Sequence, residues 1–330
     1  VIDAQNLSFD QSYSVASHIM NGETTDAQIS ALLVSLRLKG ETIDEISGFV
    51  KAMREKATVI ACKNNTLIDT CGTGGDNKNT FNVSTVSGFV AAGAGCYIAK
   101  HGNKSVSSCC GSADILTQLG ININIDPQTM AKCIDENGFG FLYAPLLHKA
   151  MKYAIGPRRE IGVRTIFNIL GPLTNPAKAD RQLMGVFRED LTELLANVLK
   201  NLGSTHVLVV HGEEGVDEIS ISGRTRVSEL KDGEIRNYFI SPEDFGLKKW
   251  DFSEIIGGDP IKNHQITLEI LQGKGGAARD MVLLNAGAVI YLSDKANSIL
   301  EGIEMAAKSI DSGKAKEKVE YLRELTNQDN

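Results

Sequence analysis

Apolar side chains recur at helical spacing through the first 56 residues, and no alternating strand pattern interrupts them. Three stripes each follow a Ser/Thr-x-x-Glu/Gln sequence, beginning at Ser8, Thr25 and Thr42, and this spacing is typical of capping boxes. The sequence therefore predicts three capped helices. The second helix is unusually apolar, which suits internal packing and a subunit interface equally well. Its apolar positions are Ile29, Leu32, Leu33, Leu36 and Leu38.

From Leu67 onward, short runs of strand-forming residues alternate with helical patterns. Alternation of this kind favours a mainly parallel sheet with covering helices. The predicted strands are 67–68, 96–100, 139–143, 183–187 and 207–210, with a further strand-rich stretch over 217–240. The predicted helices are 113–119, one beginning at Asp126-Pro127, 148–159, 164–170, one capped by Asp190 with Glu193, and 280–291.

The return to a helical pattern over 144–175 indicates a domain made of two separated segments. We expect an α/β protein in which 1–66 and 144–175 form a small all-helical domain. Residues 67–143 and 176–330 are expected to form a larger α/β domain with a mainly parallel central sheet. A chain of 330 residues is long enough for both. A boundary between two domains is also a usual place for a ligand.

The stretch after the first predicted strand combines glycines with small polar side chains. Gly72, Gly74 and Gly75 precede Asp76 and a run rich in hydroxyl and amide groups, which leads into an apolar helical pattern. Backbone N–H groups of a glycine loop can approach a phosphate closely, and a helix N-terminus adds partial positive charge. The spacing matches neither the dinucleotide fingerprint nor a Walker A loop. The sequence predicts an anion cradle of another kind, and a plain tight turn is the alternative.

A second polar loop follows the next predicted strand. It begins at Lys100, contains Lys104, and continues through small hydroxyl residues to Ser112. Loops that follow parallel strands meet at the carboxyl edge of the sheet, so this loop is expected beside the glycine loop. Lysine and hydroxyl groups suit an oxygen-rich anion. An exposed polar loop without a ligand is the alternative.

Two adjacent acids, Asp217 and Glu218, follow the strand 207–210 after a short polar loop. On one strand, neighbouring side chains would point to opposite faces. On a loop, both can reach Mg²⁺, which prefers oxygen ligands. The sequence therefore offers a magnesium site here, with solvated surface acids as the alternative.

Arg158, Arg159 and His148 complete the candidates. An arginine fork can hold a carboxylate through two hydrogen bonds, but neighbouring residues diverge on a helix, so at most one arginine is expected to face the ligand. A lone histidine near a helix start more often packs or caps. The sequence offers no persuasive covalent nucleophile, and no covalent catalytic residue is expected. These residues indicate one substrate that is phosphorylated and binds Mg²⁺, and a second substrate that carries a carboxylate. They do not distinguish phosphoryl transfer from glycosyl transfer.

The composition and net charge limit the partners and the location that we expect for this protein. The formal net charge of −7 argues against nucleic acid or an anionic membrane as the main partner. No apolar run is long enough to span a bilayer, and the N-terminus lacks the pattern of a signal peptide. Six cysteines without a Cys-x-x-Cys pair suit reduced thiols, so a cytoplasmic location is expected.

With these residues in view, the chain resembles the anthranilate phosphoribosyltransferase family over nearly its whole length, in the family's order and spacing. The matching motifs are Gly72-Thr-Gly-Gly-Asp76, Asn82-Val-Ser-Thr85, Lys100-His-Gly-Asn103, Gly111-Ser-Ala-Asp114, Arg164-Thr-Ile-Phe-Asn-Ile-Leu-Gly-Pro-Leu-Thr-Asn-Pro176, Val210-His-Gly212 and Asp217-Glu-Ile-Ser220.

The resemblance implies transfer of the phosphoribosyl group of 5-phosphoribosyl 1-pyrophosphate to the amine of anthranilate. The products would be N-(5-phosphoribosyl)anthranilate and pyrophosphate, in tryptophan biosynthesis. It also implies Mg²⁺ as cofactor and the fold shared with nucleoside phosphorylases. A homodimer through the helical domains would be the expected assembly, with anthranilate on the helical side of the cleft.

The resemblance implies residue roles as well. The implied Mg²⁺ ligands are Ser84, Asp217 and Glu218. The implied anthranilate residues are Gly72, Asn103, His148 and Arg158. The implied phosphoribosyl pyrophosphate residues are Gly72, Gly75, Asp76, Thr80, Asn82, Val83, Ser84, Thr85, Lys100, His101, Gly102, Asn103, Lys104, Ser105, Val106, Ser107, Ser108 and Ser112.

Two positions depart from the family's usual pattern, and two alternatives stay open. The family usually has Arg where this chain has Lys104, and Pro where it has Lys149. One alternative is a pyrimidine nucleoside phosphorylase, whose Lys-x-Ser-Thr-Gly-Gly-Val-Gly-Asp loop is absent from the sequence. The other is a non-catalytic, nucleic-acid-binding relative, which would call for a basic groove.

Overall fold

The structure is a computed structural model that describes residues 1–104 and 109–328. The predicted phosphate-site residues Ser105, Val106, Ser107 and Ser108 therefore lie outside the described residues.

Seven strands of the described residues form one sheet, in the order β3-β2-β1-β4-β5-β6-β7. The strands are β1 Leu67–Asp69, β2 Tyr97–Gly102, β3 Phe139–Tyr143, β4 Arg181–Gly185, β5 His206–Gly212, β6 Thr225–Lys231 and β7 Glu234–Ile240. The pairs among β1 to β5 are parallel, and β6 and β7 continue the sheet antiparallel. The predicted mainly parallel sheet is confirmed. The predicted strand-rich stretch contributes only β6 and β7, because 217–224 is a loop.

Fourteen α-helices surround the sheet in the described part of the chain. They are α1 Phe9–Asn21, α2 Asp26–Lys39, α3 Ile43–Lys56, α4 Val83–Gly93, α5 Ser112–Gln118, α6 Pro127–Lys132, α7 Ala144–Leu147, α8 Lys152–Ile161, α9 Phe167–Leu170, α10 Leu191–Asn201, α11 Pro260–Leu271, α12 Ala277–Leu292, α13 Ile299–Asp311 and α14 Lys314–Thr326. None of the helices in these described ranges has the length and apolar character to cross a membrane.

Most of the helix signals in the sequence are confirmed. Reciprocal capping boxes open α1, α2 and α3 at the three predicted residues, and Asp126 caps α6. Two predictions were wrong. Asp190 makes no side-chain cap for α10, because its carboxylate pairs with Arg188 at 2.5 Å. Residues 164–166 are not part of α9, since the Thr165 N–H bonds the Asn168 side chain at 2.9 Å and starts the helix later.

Alternate residues of the central strands support two cores on opposite faces of the sheet. On β4 and β5, Leu183, Leu208 and Val210 join a core with helices α4, α5 and α11 to α14, whereas their neighbours face the other side. The second core contains apolar residues of α1, α2, α3, α8 and α9, together with α10. This alternation is the period-two pattern of strands covered on both faces.

The N-terminal helices and the segment 144–175 share that second core. Backbone and side-chain bonds join them as well: the Thr58 N–H donates to the Leu147 carbonyl at 2.9 Å, and Arg54 Nε donates to the Leu173 carbonyl at 2.8 Å. A helical domain built from two segments requires contacts of this kind. The same core extends to α10, so the helices also rest on the sheet.

The strand order reverses beside β1, and that reversal positions the functional loops. The chain runs from β1 outward to β2 and β3, then returns so that β4 pairs with the other side of β1. At such a switch point, the chain leaves β1 for α4 on one face of the sheet and leaves β4 for α10 on the other, and ligands bind at the carboxyl edge between them. The glycine loop is the one that leaves β1.

Candidate active site

The buried carboxylate of Asp69 fastens the ends of the two strands that carry the phosphate-type loops. Its Oδ1 accepts the N–H groups of Cys71 at 3.0 Å and His101 at 3.1 Å, and its Oδ2 accepts Asn175 Nδ2 at 2.7 Å. Asn175 also donates to the Ala99 carbonyl at 2.8 Å. One side chain at the end of β1 thereby joins β2 and the chain that returns from the helical segment. Burial raises the pKa of Asp69 to about 6.

The glycine loop adopts a conformation that suits an anion. Gly74 and Gly75 both have positive φ, as do Asn77 and Asn79, where asparagine tolerates the left-handed region. Within the described residues, no acceptor bonds the N–H groups of Gly75, Asp76 or Asn77. Successive free amides in such turns form the concave nests that bind phosphate. The predicted anion cradle is therefore geometrically available.

Close approach explains the glycine that begins the loop. A Cβ at Gly72 would lie 3.0 Å from the Gly185 carbonyl oxygen and 3.1 Å from Asp217 Oδ2. A Cβ at Gly185, where β4 ends, would overlap the Asp217 carbonyl. These two glycines let the loops after β1, β4 and β5 meet, and they bring Asp217 into the site.

Three acids converge at this point. Asp217 Oδ2 accepts the Gly74 N–H at 2.8 Å, and its carboxylate lies against that of Asp76. Burial, then the neighbouring Asp76 and Glu218, raise the pKa of Asp217 well above its usual range. Burial likewise raises the pKa of Glu218 to about 8, although the backbone N–H of Ser84 faces its carboxylate. Asp76 Oδ2 is buried and has no partner among the described residues.

These acids fit Mg²⁺. Facing carboxylates without a donor between them need either protons or a cation. The available atoms are carboxylate and hydroxyl oxygens, which are the ligands that Mg²⁺ prefers. The residues in position to hold it are the predicted Ser84, Asp217 and Glu218, and Asp76 joins them as a carboxylate assigned from the sequence only to the phosphoribosyl substrate.

Lys100 supports the site from below. Its ammonium is almost completely buried and donates to the Thr70 carbonyl at 3.1 Å, to Thr70 Oγ1 at 3.2 Å and to Ser84 Oγ at 3.1 Å. A buried cation near Asp69 and Glu218 offsets part of their negative charge. The Lys100 bond to Ser84 uses one lone pair of the Ser84 hydroxyl and leaves the other for a metal.

A second group with metal-type side chains consists of Asp69, Cys71 and His101, whose ligand atoms lie within 4.8 Å of one another. Asp69 already accepts three hydrogen bonds, and His101 Nδ1 lies 3.1 Å from the Gly171 carbonyl. Burial also raises the pKa of the Cys71 thiol strongly, which disfavours the thiolate that a metal requires. This group is a hydrogen-bonded core cluster.

The Asn82–Thr85 run has mixed roles. The Asn82 side chain bonds the Cys110 carbonyl and Asn263 Nδ2, both at 3.0 Å, and so ties α4 to the second loop and to α11. The Val83 and Thr85 side chains are buried, Val83 within the apolar core. At Val83, only the backbone is therefore available for the predicted phosphoribosyl pyrophosphate contact. Thr80 forms an isolated bridge with Ile256 at the edge of the loop.

The second loop contacts the chain that follows the first, because Asn82 Nδ2 donates to the Cys110 carbonyl at 3.0 Å. The two ends of the second loop also lie close together. A Cβ at Gly102 would lie 3.3 Å from Ser112 Cβ, so β2 closely approaches the start of α5. The Asn103 carbonyl accepts the Ala113 N–H at 3.2 Å. Lys104 is exposed and donates its backbone N–H to Asn103 Oδ1 at 2.8 Å.

Two buried histidines stand between the sheet and the helical segment. The rings of His101 and His148 are 5.0 Å apart. Burial lowers the pKa of His101 to about 3 and that of His148 to about 4, so both rings are neutral near pH 7. This ring contact places His148 next to His101, which is itself a predicted phosphoribosyl pyrophosphate residue. Lys149 is exposed at the start of a 3₁₀ turn, and α8 forms just after it.

Arg158 and Arg159 differ in the way that their helical positions predict. Arg159 is exposed, whereas Arg158 is half-buried on α8 with its guanidinium 5.2 Å from the Phe167 ring centre. Burial lowers the pKa of Arg158, and among the described residues its guanidinium contacts this ring rather than a carboxylate. No contact within those residues joins Arg158 directly to the acidic cluster.

Several residues that shape the site were missed from the sequence. They are Asp69 as a hydrogen-bond centre, Asn175, Asn263, Phe187 and the side chain of Arg164. The last of these donates to the Gly75 carbonyl. Only a pattern of distant polar pairs would have indicated them, and one sequence does not contain that information.

Family models and known proteins match this chain over nearly its whole length. The Glycosyl transferase family, a/b domain, matches residues 64–316, and the Glycosyl transferase family, helical bundle domain, matches residues 1–57. The anthranilate phosphoribosyltransferase of Alkaliphilus metalliredigens (strain QYMF) is 52% identical over 326 residues, which cover 99% of this chain and 96% of that protein.

Solved structures agree. The crystal structure of anthranilate phosphoribosyltransferase from Thermus thermophilus superposes with a TM-score of 0.94 at 40% identity, covering 98% of this chain and 97% of that one. The enzyme from Saccharomyces cerevisiae in complex with PRPP and Mg has a TM-score of 0.89 at 29% identity, covering 98% and 94%. The yeast enzyme has also been solved in complex with 4-fluoroanthranilate, with a TM-score of 0.88 at 28% identity and the same coverage.

Replacing Asp69 is expected to destabilise the protein according to how many hydrogen bonds are lost. Asp69→Ala leaves three buried donors unpaired and should lower the free energy of unfolding by roughly 3 kcal/mol or more. Asp69→Asn keeps an acceptor for the two backbone N–H groups but places an NH₂ against Asn175, and should cost roughly 1–2 kcal/mol. Urea unfolding measures both. An alanine variant as stable as the asparagine variant would contradict the assignment.

Replacing Glu218 is expected to stabilise the metal-free protein at alkaline pH. In the folded state Glu218 keeps its proton up to about pH 8, against 4.5 for an ordinary glutamate. The folded state therefore binds more protons between these values, and stability falls as pH rises through the window. Glu218→Gln removes that loss, so in chelator at pH 8 it should be more stable than the wild type by on the order of 3 kcal/mol. The difference should shrink towards pH 5.

Thermal and urea unfolding between pH 5 and 8.5 in chelator, repeated with Mg²⁺, test this expectation. Mg²⁺ should stabilise the wild type and leave Glu218→Gln almost unchanged. The exposed Glu234→Gln is the matched control and should follow the wild type in both series. A wild-type stability that stays level from pH 5 to 8 in chelator would refute the assignment.

Proposed function

The chain belongs to the anthranilate phosphoribosyltransferase family, and we propose that it transfers the phosphoribosyl group of 5-phosphoribosyl 1-pyrophosphate to anthranilate. The products are N-(5-phosphoribosyl)anthranilate and pyrophosphate, in a step of tryptophan biosynthesis. The observation that carries the proposal is the buried acidic cluster of Asp76, Asp217 and Glu218 against a glycine loop with free amides. The anionic pyrophosphate ester would accept hydrogen bonds from the amides of the glycine loop. Its metal ion would pair with the acids.

The reaction exchanges one bond at the ribose. The bond from C1 to the pyrophosphate oxygen breaks, a bond from C1 to the anthranilate nitrogen forms, and the nitrogen releases one proton to water. Loss of pyrophosphate develops positive charge on the ribose ring, as in glycoside cleavage. The protein must therefore stabilise a leaving anion, position the amine and keep competing water away.

The chain's own groups supply the stabilisation of the anion. The amides of Gly75, Asp76 and Asn77 form the cradle, and the first turn of α4 adds the positive end of a helix. The buried Lys100 lies at the base of the same loop. Mg²⁺ held by Ser84, Asp217, Glu218 and Asp76 would neutralise the acids and stabilise charge on the departing pyrophosphate.

The acceptor needs orientation more than activation. An aromatic amine is neutral at pH 7 and carries its own nucleophilic lone pair, so no strong base is required. The buried His101 and His148 are neutral as well, and add no charge beside the ring of the acceptor. Arg158, on the helical side, has no carboxylate partner within the described ranges and is assigned to the anthranilate carboxylate. Gly72 and Asn103 are assigned to the same substrate.

The two alternatives are less well supported. The relatives at about half identity over nearly the full chain are named anthranilate phosphoribosyltransferase. The net charge of −7 also disfavours a nucleic-acid backbone as partner.

The domain division and the assembly belong to the same proposal. The helical domain comprises 1–66 and 144–175, supported by their shared apolar core. Two copies pair through this domain, supported by exposed apolar side chains on it: Leu38 is 81% exposed, Ile155 47% and Phe9 37%. Six cysteines without a disulfide support a cytoplasmic enzyme.

Loss of anthranilate fluorescence tests the activity directly. With phosphoribosyl pyrophosphate and Mg²⁺ the signal should fall, and chelator or omission of either partner should prevent the fall. An unchanged signal with a folded, Mg²⁺-binding protein would rule out the proposed reaction.

Arg158→Ala should weaken use of anthranilate far more than use of the other substrate. Loss of a charge-assisted, two-bond contact should raise the KM for anthranilate at least tenfold, which corresponds to about 1.4 kcal/mol. The KM for phosphoribosyl pyrophosphate should change little. Arg159→Ala, the exposed neighbour on the same helix, is the control. Equal effects of the two substitutions on the anthranilate KM would show that Arg158 does not hold the carboxylate.

Leu38→Asp should convert the dimer to a monomer, because a charge would replace an apolar contact at the proposed interface. Light scattering coupled to size exclusion measures the mass. The control is Ile261→Asp, an exposed apolar position on α11 in the α/β domain, which should remain dimeric. A wild type that is monomeric throughout the micromolar range would disprove the assembly.

A further inference from the structure

Arg164 connects the helical segment to the glycine loop. It lies between α8 and α9, outside both helices. Its guanidinium donates to the Gly75 carbonyl and stacks over the Phe187 ring, 4.3 Å from the ring centre. Its own backbone carbonyl accepts Arg37 Nη1 from α2 at 2.5 Å. One residue thereby joins the N-terminal helices, the loop after β4 and the anion cradle.

The bond to Gly75 controls the direction of an amide in the cradle. A trans peptide is planar, with its C=O and N–H pointing in opposite directions. When Arg164 holds the Gly75 carbonyl, the N–H of Asp76 must therefore point away from Arg164. Gly74 and Gly75 have no Cβ to restrict them, so the loop has little conformational preference of its own. The contact from outside supplies the missing restriction.

The stacked ring fixes the same loop from its other side. The Phe187 N–H donates to Thr73 Oγ1 at 3.2 Å, and the Thr73 N–H donates to the Gly185 carbonyl at 2.8 Å. Thr73 and Gly75 are thus both tied to the end of β4 and its continuation. The planar guanidinium suits this position, because it can stack on an aromatic ring while its N–H groups donate in the guanidinium plane.

We propose that Arg164 is a positioning residue that couples the two substrate sites. The short segment that follows α8 carries Arg164, and α8 itself carries Arg158. Ordering the glycine loop around phosphoribosyl pyrophosphate thereby orders the residue that faces anthranilate, and the reverse holds because coupling between sites is reciprocal. This inference rests on the proposed function for the identity of the two ligands.

Calorimetric titration tests the loop without turnover. Arg164→Ala should weaken binding of phosphoribosyl pyrophosphate with Mg²⁺ at least tenfold, and Phe187→Leu, which removes only the stack, should weaken it less. Arg159→Ala removes the same charge from an exposed neighbouring position and should bind like the wild type. If Arg159→Ala weakens binding as much as Arg164→Ala, general charge is responsible and the inference fails.

Steady-state kinetics test the coupling. In the wild type, the KM for anthranilate should fall as phosphoribosyl pyrophosphate rises from limiting to saturating. In Arg164→Ala this dependence should disappear, while kcat falls less than the KM for phosphoribosyl pyrophosphate rises. Arg164→Lys keeps the charge but not the planar fork, and should restore only part of the coupling. An unchanged dependence in Arg164→Ala, or complete rescue by lysine, would overturn the inference.

The controls separate this inference from the proposed reaction. Thermal unfolding in chelator shows whether Arg164→Ala is folded; if it is not, Phe187→Leu and Arg164→Lys carry the same comparison. An inactive wild type that still binds phosphoribosyl pyrophosphate would refute the reaction alone. An active wild type whose variants keep full affinity and coupling would refute the role of Arg164 alone.

Discussion

The buried carboxylate at the end of β1 is the constraint on which the site depends. A parallel sheet leaves its strand ends with backbone groups that need partners, and here one aspartate provides acceptors for two successive loops and for the chain that returns from the helices. Asp69 therefore fixes the origin of each loop, while the amides of Gly75, Asp76 and Asn77 in the first loop have no acceptor in the described part of the chain. A ligand therefore binds to loops whose starting points are held rigidly.

The second property of the site is the close approach of three acidic side chains. Asp76, Asp217 and Glu218 are held together by glycine contacts and backbone bonds, although burial disfavours the ionised forms of Asp217 and Glu218. The fold supplies this arrangement at a cost in stability that ligands can relieve. Functional sites commonly contain locally unfavourable interactions whose cost in stability is offset elsewhere in the fold. Here the two large apolar cores provide that stability.

Local signals predicted much of the molecule because their causes are local. Capping boxes identified the first three helices, and the glycine spacing and the adjacent acids marked a loop and a carboxylate that the structure brings together. The failures have non-local causes or depend on a neighbour's side chain. Asp190 was diverted from its cap by a nearby arginine. The bond from Asn175 to Asp69 spans 106 residues, and that of Arg164 to Gly75 spans 89; the fold alone brings such pairs together.

The close approach of Gly185 to Asp217 also bears on how such an enzyme can be redesigned. Because even a methyl group there would displace the backbone that carries Asp217, the end of β4 is closed to variation for any chemistry that keeps the proposed metal site. The helix that presents Arg158 has no comparably tight position: a Cβ at Gly156, two residues before Arg158, would lie 3.8 Å from Asp26 Oδ2, an ordinary contact distance. Changes in acceptor preference are therefore accessible through the helices, whereas the donor half of the reaction is fixed by the geometry of the sheet.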